Sequence, residues 1–317
     1  MTPQPVPLIT IGMTCFNAAK TIDRALDSAL NQDWENFEVL VVDDFSHDGS
    51  QKILRQRAAQ DYRLRIIEHP ENKGCAAARN TLLNESKGDF IAFFDDDDVS
   101  RKDRLRLQYT RIITYEQTIE TDLIACYASG QRIYDNGYEM PIKAIGSRGP
   151  GPVGTELADY LLCARYRSGI FYGGGTPTCS LMARKTIFQK VGKFDENMRR
   201  QEDADFAIRL ALCGGHFIGV SENVLTQYAS QGSDKTARHE HESFLYLLEK
   251  NKKYLLKNRD YTYMRRWAEL RFRHFSGRPA AAASILIQLL FTHPLRTMRH
   301  FSRTALARFI HEHRMKA

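Results

Sequence analysis

The 317-residue sequence contains no two cysteines spaced as Cys-x-x-Cys. Its six cysteines are scattered along the chain, which argues against a zinc site and against a framework of disulfide bonds. We therefore expect a reducing compartment and a cytoplasmic location. The start of the chain has no basic segment ahead of an apolar one, so no secretory signal is predicted.

Long apolar runs and phosphate-binding glycine motifs are also missing. The uncharged run Pro279–Phe291 has 13 residues, whereas a helix needs roughly 20 apolar residues to cross a bilayer. No Gly-x-Gly-x-x-Gly follows the first predicted strand, and Gly-x4-Gly-Lys-Ser/Thr does not occur. If the protein binds a nucleoside diphosphate, we expect a metal ion to hold it instead.

Charge is distributed unevenly along the chain. Residues 231–317 carry 18 lysines and arginines against 7 acidic residues, whereas residues 1–230 carry 27 against 31. The basic character therefore belongs to the C-terminal part, and it suits an anionic membrane surface or nucleic acid. Because no motif that recognises RNA or DNA is present, nucleic acid is not an expected partner.

Strand-like and helix-like segments alternate through the first part of the chain. Apolar, β-rich runs predict strands at Leu8–Thr14, Phe37–Val42, Leu64–Glu68 and Phe90–Phe94. The first helix is predicted from apolar residues that share one face, namely Ile22, Ala25, Leu26, Ala29 and Leu30. The alternation predicts right-handed β-α-β crossovers and an α/β fold with a parallel sheet.

An acidic run follows the fourth predicted strand. Phe90–Phe94 is uncharged and typical of a buried parallel strand, and Asp95–Asp98 come directly after it. Ligands bind at this end of the strands in open α/β sheets. Four adjacent carboxylates repel one another unless a cation is present, and Mg²⁺ or Mn²⁺ prefers oxygen ligands. The alternative is a solvated acidic turn, since Ser100 and Asp103 have the spacing of a helix N-cap.

Two other segments bring acids toward the same edge. The strand Phe37–Val42 ends in Asp43 and Asp44, so a second strand delivers carboxylates there. Glu202 and Asp203 open an amphipathic helix, where acids are often simply favourable with the helix dipole. Between these segments, glycines and prolines from Asp135 to Glu156 predict a long irregular loop, either functional or a flexible linker.

With these segments in order, the chain resembles family 2 glycosyltransferases of GT-A fold from Leu8 to about Tyr228. The family's opening strand and Asn turn match Ile11–Asn17, and its Val-Asp-Asp-x-Ser-x-Asp-Gly-Ser signature matches Val42–Ser50. Three later motifs follow at similar spacing, on Asn72–Asn80, Asp95–Asp98 and Gly192–Asp203. Five motifs in the same order make coincidence improbable.

The resemblance implies roles for individual residues. It places Thr14 and Asp44 beside the nucleoside, with Asp44 accepting a hydrogen bond from the base, and Arg79 beside the base or the diphosphate. Asp96 would lie by the ribose. Asp97 would ligate a Mn²⁺ or Mg²⁺ ion that bridges the diphosphate, with Asp95 reaching the same metal through water.

The resemblance also implies a catalytic base, Asp203, which would deprotonate the acceptor hydroxyl. A carboxylate on the face of the sugar opposite the leaving group favours in-line attack and inversion at the anomeric carbon. The expected reaction is transfer of one sugar from a nucleotide-sugar, UDP-linked, to a glycan or lipid-linked glycan acceptor. The alternative is a catalytically silent subunit that binds nucleotide-sugar within a membrane complex.

Two departures from the family pattern refine this expectation. The Gln-x-x-Arg-Trp motif of processive synthases is missing, because Tyr263 stands three residues before Arg266; a non-processive enzyme is therefore predicted. After Tyr228, where relatives often place an Arg or His, the chain has Ala229–Gly232. Lys235, Arg238 and His239 are candidate replacements for that third metal or phosphate contact, although a lone His is more often a surface residue.

We predict a glycosyltransferase domain over residues 1–230 and a basic helical tail over 231–317. Within the domain, a nucleotide-binding half covers about 1–130 and an acceptor half about 131–230. In the tail, apolar residues such as Leu295 and Met298 face one side and arginines the other. This pattern favours a helix at the inner face of a membrane; the alternative is a helical pair packed on the domain.

Overall fold

The computed structural model describes residues 6–229 and 236–303. The strands are β1 Ile9–Cys15, β2 Phe37–Asp43, β3 Leu64–Glu68, β4 Phe90–Asp95, β5 Val99–Ser100, β6 Ile124–Ile133, β7 Glu139–Ile142, β8 Leu181–Arg184 and β9 His216–Tyr228. The helices are α1 Ile22–Leu30, α2 Ser50–Ala58, α3 Cys75–Glu85, α4 Arg104–Ile119, α5 Thr155–Cys163, α6 Thr186–Val191, α7 Glu202–Leu212, α8 Ala237–Lys250, α9 Lys252–Lys257, α10 Tyr261–Phe275 and α11 Pro279–Thr292. A further helical segment covers 294–303.

The strands of the described chain form one mixed sheet in the order β3-β2-β1-β4-β8-β6-β9-β5, with β7 paired to β6. Strands β3, β2, β1 and β4 run parallel, and α1, α2 and α3 connect them. β8 lies antiparallel between β4 and β6. The α/β fold with β-α-β crossovers that the sequence predicts is therefore confirmed.

Burial explains why these segments become strands and helices. Every residue of β2 is buried, as expected for a parallel strand covered on both faces. The predicted apolar face of α1 is the face that it buries, namely Ile22, Ala25, Leu26, Ala29 and Leu30. The sheet thus has an apolar layer on each face, and its central strands lie between the two.

Parallel register brings the carboxyl ends of three strands together. Thr14 of β1 pairs with Val42 of β2 and with Asp95 of β4. One residue further along β1, Cys15 pairs with Asp43. The two strands that end in aspartates therefore flank β1 and finish at the same edge of the sheet.

The prediction of an irregular loop from Asp135 to Glu156 is wrong in two places. Within that range, β7 pairs with β6, and α5 begins at Thr155. The glycines that suggested irregularity instead allow close packing: a Cβ at Gly151 would lie 1.8 Å from the carbonyl oxygen of Phe217. Only glycine permits the backbone to pass this close to β9.

The helices after residue 236 pack against the α/β part of the chain. Apolar residues of α8, α9 and α10 belong to the same buried cluster as those of α5 and α7; they include Phe244, Leu247, Leu248, Leu255, Met264 and Trp267. The predicted domain boundary falls in residues 230–235, outside the described residues. Of the helices within 6–229 and 236–303, none has the length and apolarity that crossing a bilayer requires.

Ion pairs to two buried carboxylates reinforce this packing. Lys250 at the end of α8 places its Nζ 2.7 Å from Oδ1 of Asp205, a buried residue of α7. Asp260, at the start of α10 and fully buried, lies 2.5 Å from Arg165 and 2.6 Å from Arg296. Because a buried carboxylate is costly without a partner, these contacts fix how the C-terminal helices sit on the domain.

Candidate active site

The aspartate run forms a turn at the carboxyl end of β4, and each member has a different environment. Asp96 accepts a hydrogen bond from the backbone N–H of Phe16, with Oδ2 at 3.0 Å. Asp97 offers its backbone oxygen to Arg24 Nη2 at 2.8 Å. Asp98 is buried and accepts from Gln227 Nε2 at 3.3 Å. The turn therefore connects the ends of β1 and β9 to β4.

Asp98 and the end of β9 hold the turn in place. The backbone N–H of Tyr228 donates to Asp98 Oδ1 at 3.2 Å. The guanidinium carbon of Arg24 lies 3.8 Å from the centroid of the Tyr228 ring. Asp98 thus supports the turn from inside, while Arg24 of α1 covers it from outside.

Burial and mutual repulsion disfavour the charged form of the carboxyl groups in this cluster. Burial, the charges of its neighbours adding to it, raises the pKa of Asp96 to about 8 and that of Asp98 to about 8. The pKa of Asp95 is raised by burial, and Arg79 opposes the shift while Asp97 adds to it. Carboxylates with raised pKa values are the groups that a cation would stabilise in the charged form.

A buried arginine, which the sequence analysis missed, lies behind the cluster. Arg104 of α4 is fully buried and donates to the backbone oxygens of Phe93 at 2.8 Å and Cys179 at 2.9 Å. Burial lowers its pKa to about 10, so it stays protonated near neutral pH. The spacing of Arg104 and Gln108 was the signal that could have revealed it. Residues four positions apart lie on the same face of a helix, and both side chains are buried on the inner face of α4.

Carboxylate oxygens at the turn suit a hard divalent cation. Within the part of the chain that the structure describes, Asp95, Asp98 and Cys179 bring ligand-capable atoms within 4.8 Å of one another. The predicted ligand Asp97 is not in that group. The Cys179 thiol has a pKa raised well above its usual value by burial and accepts a hydrogen bond from Gln227 at 2.8 Å. A neutral thiol is a poor ligand for Mg²⁺ or Mn²⁺, so the fitting donors are carboxylates.

Asp44 is buried where β2 meets the start of α3. Its Oδ1 accepts from the backbone N–H of Lys73 at 2.9 Å, and its Oδ2 accepts from that of Gly74 at 2.8 Å. Nδ1 of His69 lies 2.7 Å from Oδ1. A carboxylate has about four acceptor positions, so one is left for a further donor such as a nucleobase N–H. Thr14 lies nearby, with its hydroxyl 4.0 Å from the Cys75 sulfur.

Arg79 of α3 and Glu202 of α7 form a buried ion pair, in which Nη1 donates to Oε1. Burial alone would lower the pKa of Arg79, but the negative groups around it, Glu202 and Asp95 among them, raise it overall. The sequence analysis identified Arg79 but assigned no role to Glu202. Glu202 lies in the first turn of α7 together with Asp203 and Asp205, where acids are favourable with the helix dipole, and the ion pair with Arg79 is a contact in addition to that.

Asp203 stands in the first turn of α7, beside this ion pair. Its Oδ1 accepts a hydrogen bond from the backbone N–H of Ala204 at 2.7 Å. Burial and the charge of Glu202 raise its pKa to about 6, while Arg79 opposes the shift. A carboxyl group with this pKa is ionised at neutral pH yet basic enough to accept a proton.

Electrostatic coupling shows which predicted residues lie together. Arg79, which pairs with Glu202 at the start of α7, opposes the rise in the pKa values of Asp95, Asp203 and Cys75, so its charge acts on both the aspartate turn and the start of α7. Among the proposed third contacts, Arg238 pairs with Glu242 at 2.7 Å. Lys235 lies outside the described residues.

Comparison with known proteins identifies the family. The family model described as Glycosyl transferase family 2 matches residues 10–185. The chain belongs to glycosyl transferase family 2. This confirms the predicted family, and the motifs that carried the prediction from Ile11 to Asp98 all lie within the matched range.

Individual relatives agree with this assignment. AmsB of Erwinia amylovora, an amylovoran biosynthesis glycosyltransferase, is 25% identical over 274 residues, covering 83% of this chain and 84% of its own. WfgD of Escherichia coli, a UDP-Glc:alpha-D-GlcNAc-diphosphoundecaprenol beta-1,3-glucosyltransferase, is 32% identical over 139 residues, covering 41% and 54%. An uncharacterized glycosyltransferase of Haemophilus influenzae is 39% identical over 103 residues, but this chain spans only 41% of its length and 32% of this chain is matched.

A solved structure has the same fold. The structure of S. aureus TarS residues 1–349 in complex with UDP-GlcNAc matches 84% of this chain and 73% of its own, with a TM-score of 0.60 and 18% identity. At this identity the match concerns the fold alone. Together with the family match, it confirms the predicted GT-A fold.

Proposed function

We propose that this family 2 protein transfers a single sugar from a UDP-sugar to a hydroxyl group of a glycan acceptor, with inversion at the anomeric carbon. The observation that carries the proposal is Asp203, a carboxylate in the first turn of α7 with a pKa of about 6, next to Glu202, which pairs with Arg79. A base and a diphosphate site on opposite sides of a sugar are what in-line transfer requires.

The proposed mechanism gives Asp203 the proton-transfer step. Its carboxylate accepts the proton of the acceptor hydroxyl as the oxygen attacks the anomeric carbon, and the bond to the UDP oxygen breaks on the opposite face. Arg79 keeps Glu202 paired, so that Asp203 remains the free carboxylate at the start of α7. In this proposal Asp44 and Thr14 contact the nucleoside, and Asp96 contacts the ribose.

The metal belongs to the proposal as well. Asp97 and Asp95 would hold Mn²⁺ or Mg²⁺ against the diphosphate, since hard oxygen donors suit these ions. When bound, such an ion neutralises the charge that develops on the departing UDP. Arg104, protonated and buried behind the turn, supports the aspartates without replacing this ion.

The relatives support the choice of substrates. WfgD is named for a UDP-sugar donor and a diphosphoundecaprenol-linked acceptor, AmsB for polysaccharide biosynthesis, and the TarS structure contains UDP-GlcNAc. We therefore propose a hexosyl or N-acetylhexosaminyl donor and a glycan acceptor, free or lipid-linked, in the assembly of cell-surface polysaccharide.

A donor screen tests this proposal. Purified protein is incubated with Mn²⁺ and a panel of UDP- and dTDP-sugars, and the released nucleotide is measured with and without chelator. We expect slow, chelator-sensitive hydrolysis of at least one UDP-sugar. Hydrolysis of none, with UDP binding intact, would favour the silent binding subunit, and absence of both would overturn the assignment of the site.

A further inference from the structure

The C-terminal helices expose a group of large apolar side chains. Helix α11 has no charged residue, and its buried residues are Ala282 and Leu289. We define the apolar face as the exposed side chains on α11 and the 294–303 helix, namely Ile287, Leu290, Phe291, Leu295 and Met298. Phe291 is 85% exposed, Leu295 80% and Met298 61%. Such a contiguous apolar patch usually marks an interaction surface.

This face does not result from a loosely attached helix. The inner side of the 294–303 helix is anchored, because Thr297 and His300 are buried and the His300 ring stacks on Trp267 with centroids 3.8 Å apart. Arg296 binds the buried Asp260 at 2.6 Å, and its guanidinium carbon lies 3.8 Å from the centroid of the Tyr263 ring. These contacts turn Leu295 and Met298 outward.

Charge along this part of the chain has a single sign. From Leu270 to Arg303 the sequence contains six arginines and no aspartate or glutamate. Arg299 and Arg303 are exposed, and their helical positions border the row formed by Leu295 and Met298. An apolar strip bordered by arginines matches a bilayer surface, where acyl chains lie beneath anionic headgroups.

We propose that α11 and the 294–303 helix lie in the interface of an anionic lipid bilayer, with the apolar face inserted and the arginines among the headgroups. The C-terminal helices also contact the segment that follows α5. Arg303 lies 4.8 Å from the centroid of the Tyr166 ring, and Arg165 binds Asp260 at 2.5 Å. Docking therefore holds the segment after α5 near the lipid surface. It does not depend on the reaction proposed above.

Flotation of the full chain with lipid vesicles, with no substrate present, tests this proposal. One set of vesicles contains phosphatidylglycerol and phosphatidylethanolamine, and the other contains phosphatidylcholine alone. We expect binding to the anionic set, weakened by high salt because exposed charges are screened. Combining Phe291→Glu with Leu295→Glu should lower the partition coefficient about 100-fold, roughly tenfold for each apolar side chain removed from lipid.

Matched control variants separate binding through the apolar face from nonspecific binding to lipid. Tyr62 is 94% exposed on the turn after α2, so Tyr62→Glu changes an equally exposed ring outside the proposed face and should leave binding unchanged. Arg299→Glu should weaken binding to anionic vesicles, whereas Lys52→Glu on α2 should have no comparable effect. The thermal unfolding temperature of every variant should be close to that of the wild type, because each altered side chain is exposed.

Three outcomes would overturn the proposal. In the first, the wild type does not bind anionic vesicles at low salt. In the second, the Phe291→Glu, Leu295→Glu variant binds as well as the wild type. In the third, Tyr62→Glu loses as much binding as that double variant. Light scattering supplies a further check. If wild type forms a dimer that the double variant abolishes, and neither binds vesicles, the apolar face joins two copies of this chain instead.

Discussion

Arg79 and Glu202 are 123 positions apart in the chain, yet their side chains form an ion pair that is almost entirely shielded from water. The pair joins α3 to α7 and stands directly before Asp203. Glu202 raises the pKa of Asp203 and Arg79 lowers it, so the pair sets the basicity of the proposed catalytic residue. This coupling makes the proposed mechanism testable through pH.

The pH profile of kcat/KM should show an acidic limb near pH 6. Burial and Glu202 raise the pKa of Asp203 from 3.8 to about 6, and a general base acts only when deprotonated. Below that pH the rate should fall about tenfold per unit, because the fraction of ionised Asp203 falls tenfold. Initial rates between pH 4.5 and 8 measure this limb. A profile that stays flat down to pH 5 would contradict the assigned base.

Glu202→Gln should move this acidic limb to lower pH. The substitution removes the negative charge that raises the pKa of Asp203 while keeping an oxygen for Arg79. The limb should shift to lower pH even if kcat falls. Such a shift distinguishes a change in the pKa of Asp203 from structural damage, which would lower the rate at every pH. Glu120→Gln, on an exposed residue at the end of α4, serves as the control and should leave the limb in place.

Asp203→Asn should lower the transfer rate by about 10²–10⁴-fold, the usual contribution of a general base. UDP affinity should stay within about twofold, since the amide keeps the shape of the side chain and Asp203 is not proposed to contact the nucleotide. Steady-state rates and calorimetric titration with UDP measure the two effects. Asp122→Asn, at a residue whose side chain is 46% exposed and pairs with Lys190, is the matched control. Parallel loss of rate and UDP affinity in Asp203→Asn would argue for a binding role.

Arg104→Leu should destabilise the fold by about 3–5 kcal/mol, because it leaves the backbone oxygens of Phe93 and Cys179 without their donor and the buried aspartates without their cation. Urea unfolding measures the change. Arg106→Leu on the same helix removes a side chain that is 49% exposed and should cost less than about 1 kcal/mol. Similar losses in both variants would show that burial of Arg104 matters little.

Residues that act within one strand or one helix could be predicted from the sequence. The buried strands β1, β2 and β4 and the inner face of α1 follow from local apolar periodicity. Register then places Asp95 and Asp43 at a common edge. The same reasoning located the start of α7 at Glu202. These features depend on neighbouring positions in the chain, and a pattern of neighbours is what periodicity reports.

Contacts between distant segments could not be predicted in this way. Periodicity does not show that Arg79 meets Glu202, or that Gln227 of β9 reaches Asp98 across the sheet. The error between Asp135 and Glu156 has a similar cause, because Gly151 looks like a loop residue until the carbonyl of Phe217 is seen against it. The roles assigned to Thr14, Asp44 and Asp97 stay predictions.

The ion pair between Lys250 and Asp205 bears on how this protein can be re-engineered. Asp205 is fully buried in α7, two residues from Asp203, and Lys250 reaches it from the end of α8. Shortening the chain to residue 229 would leave that carboxylate with Arg209 as its remaining ion-pair partner and uncover the apolar surface beneath α8. Exchange of C-terminal helices between relatives therefore has to keep a face of α7 that matches the new helices.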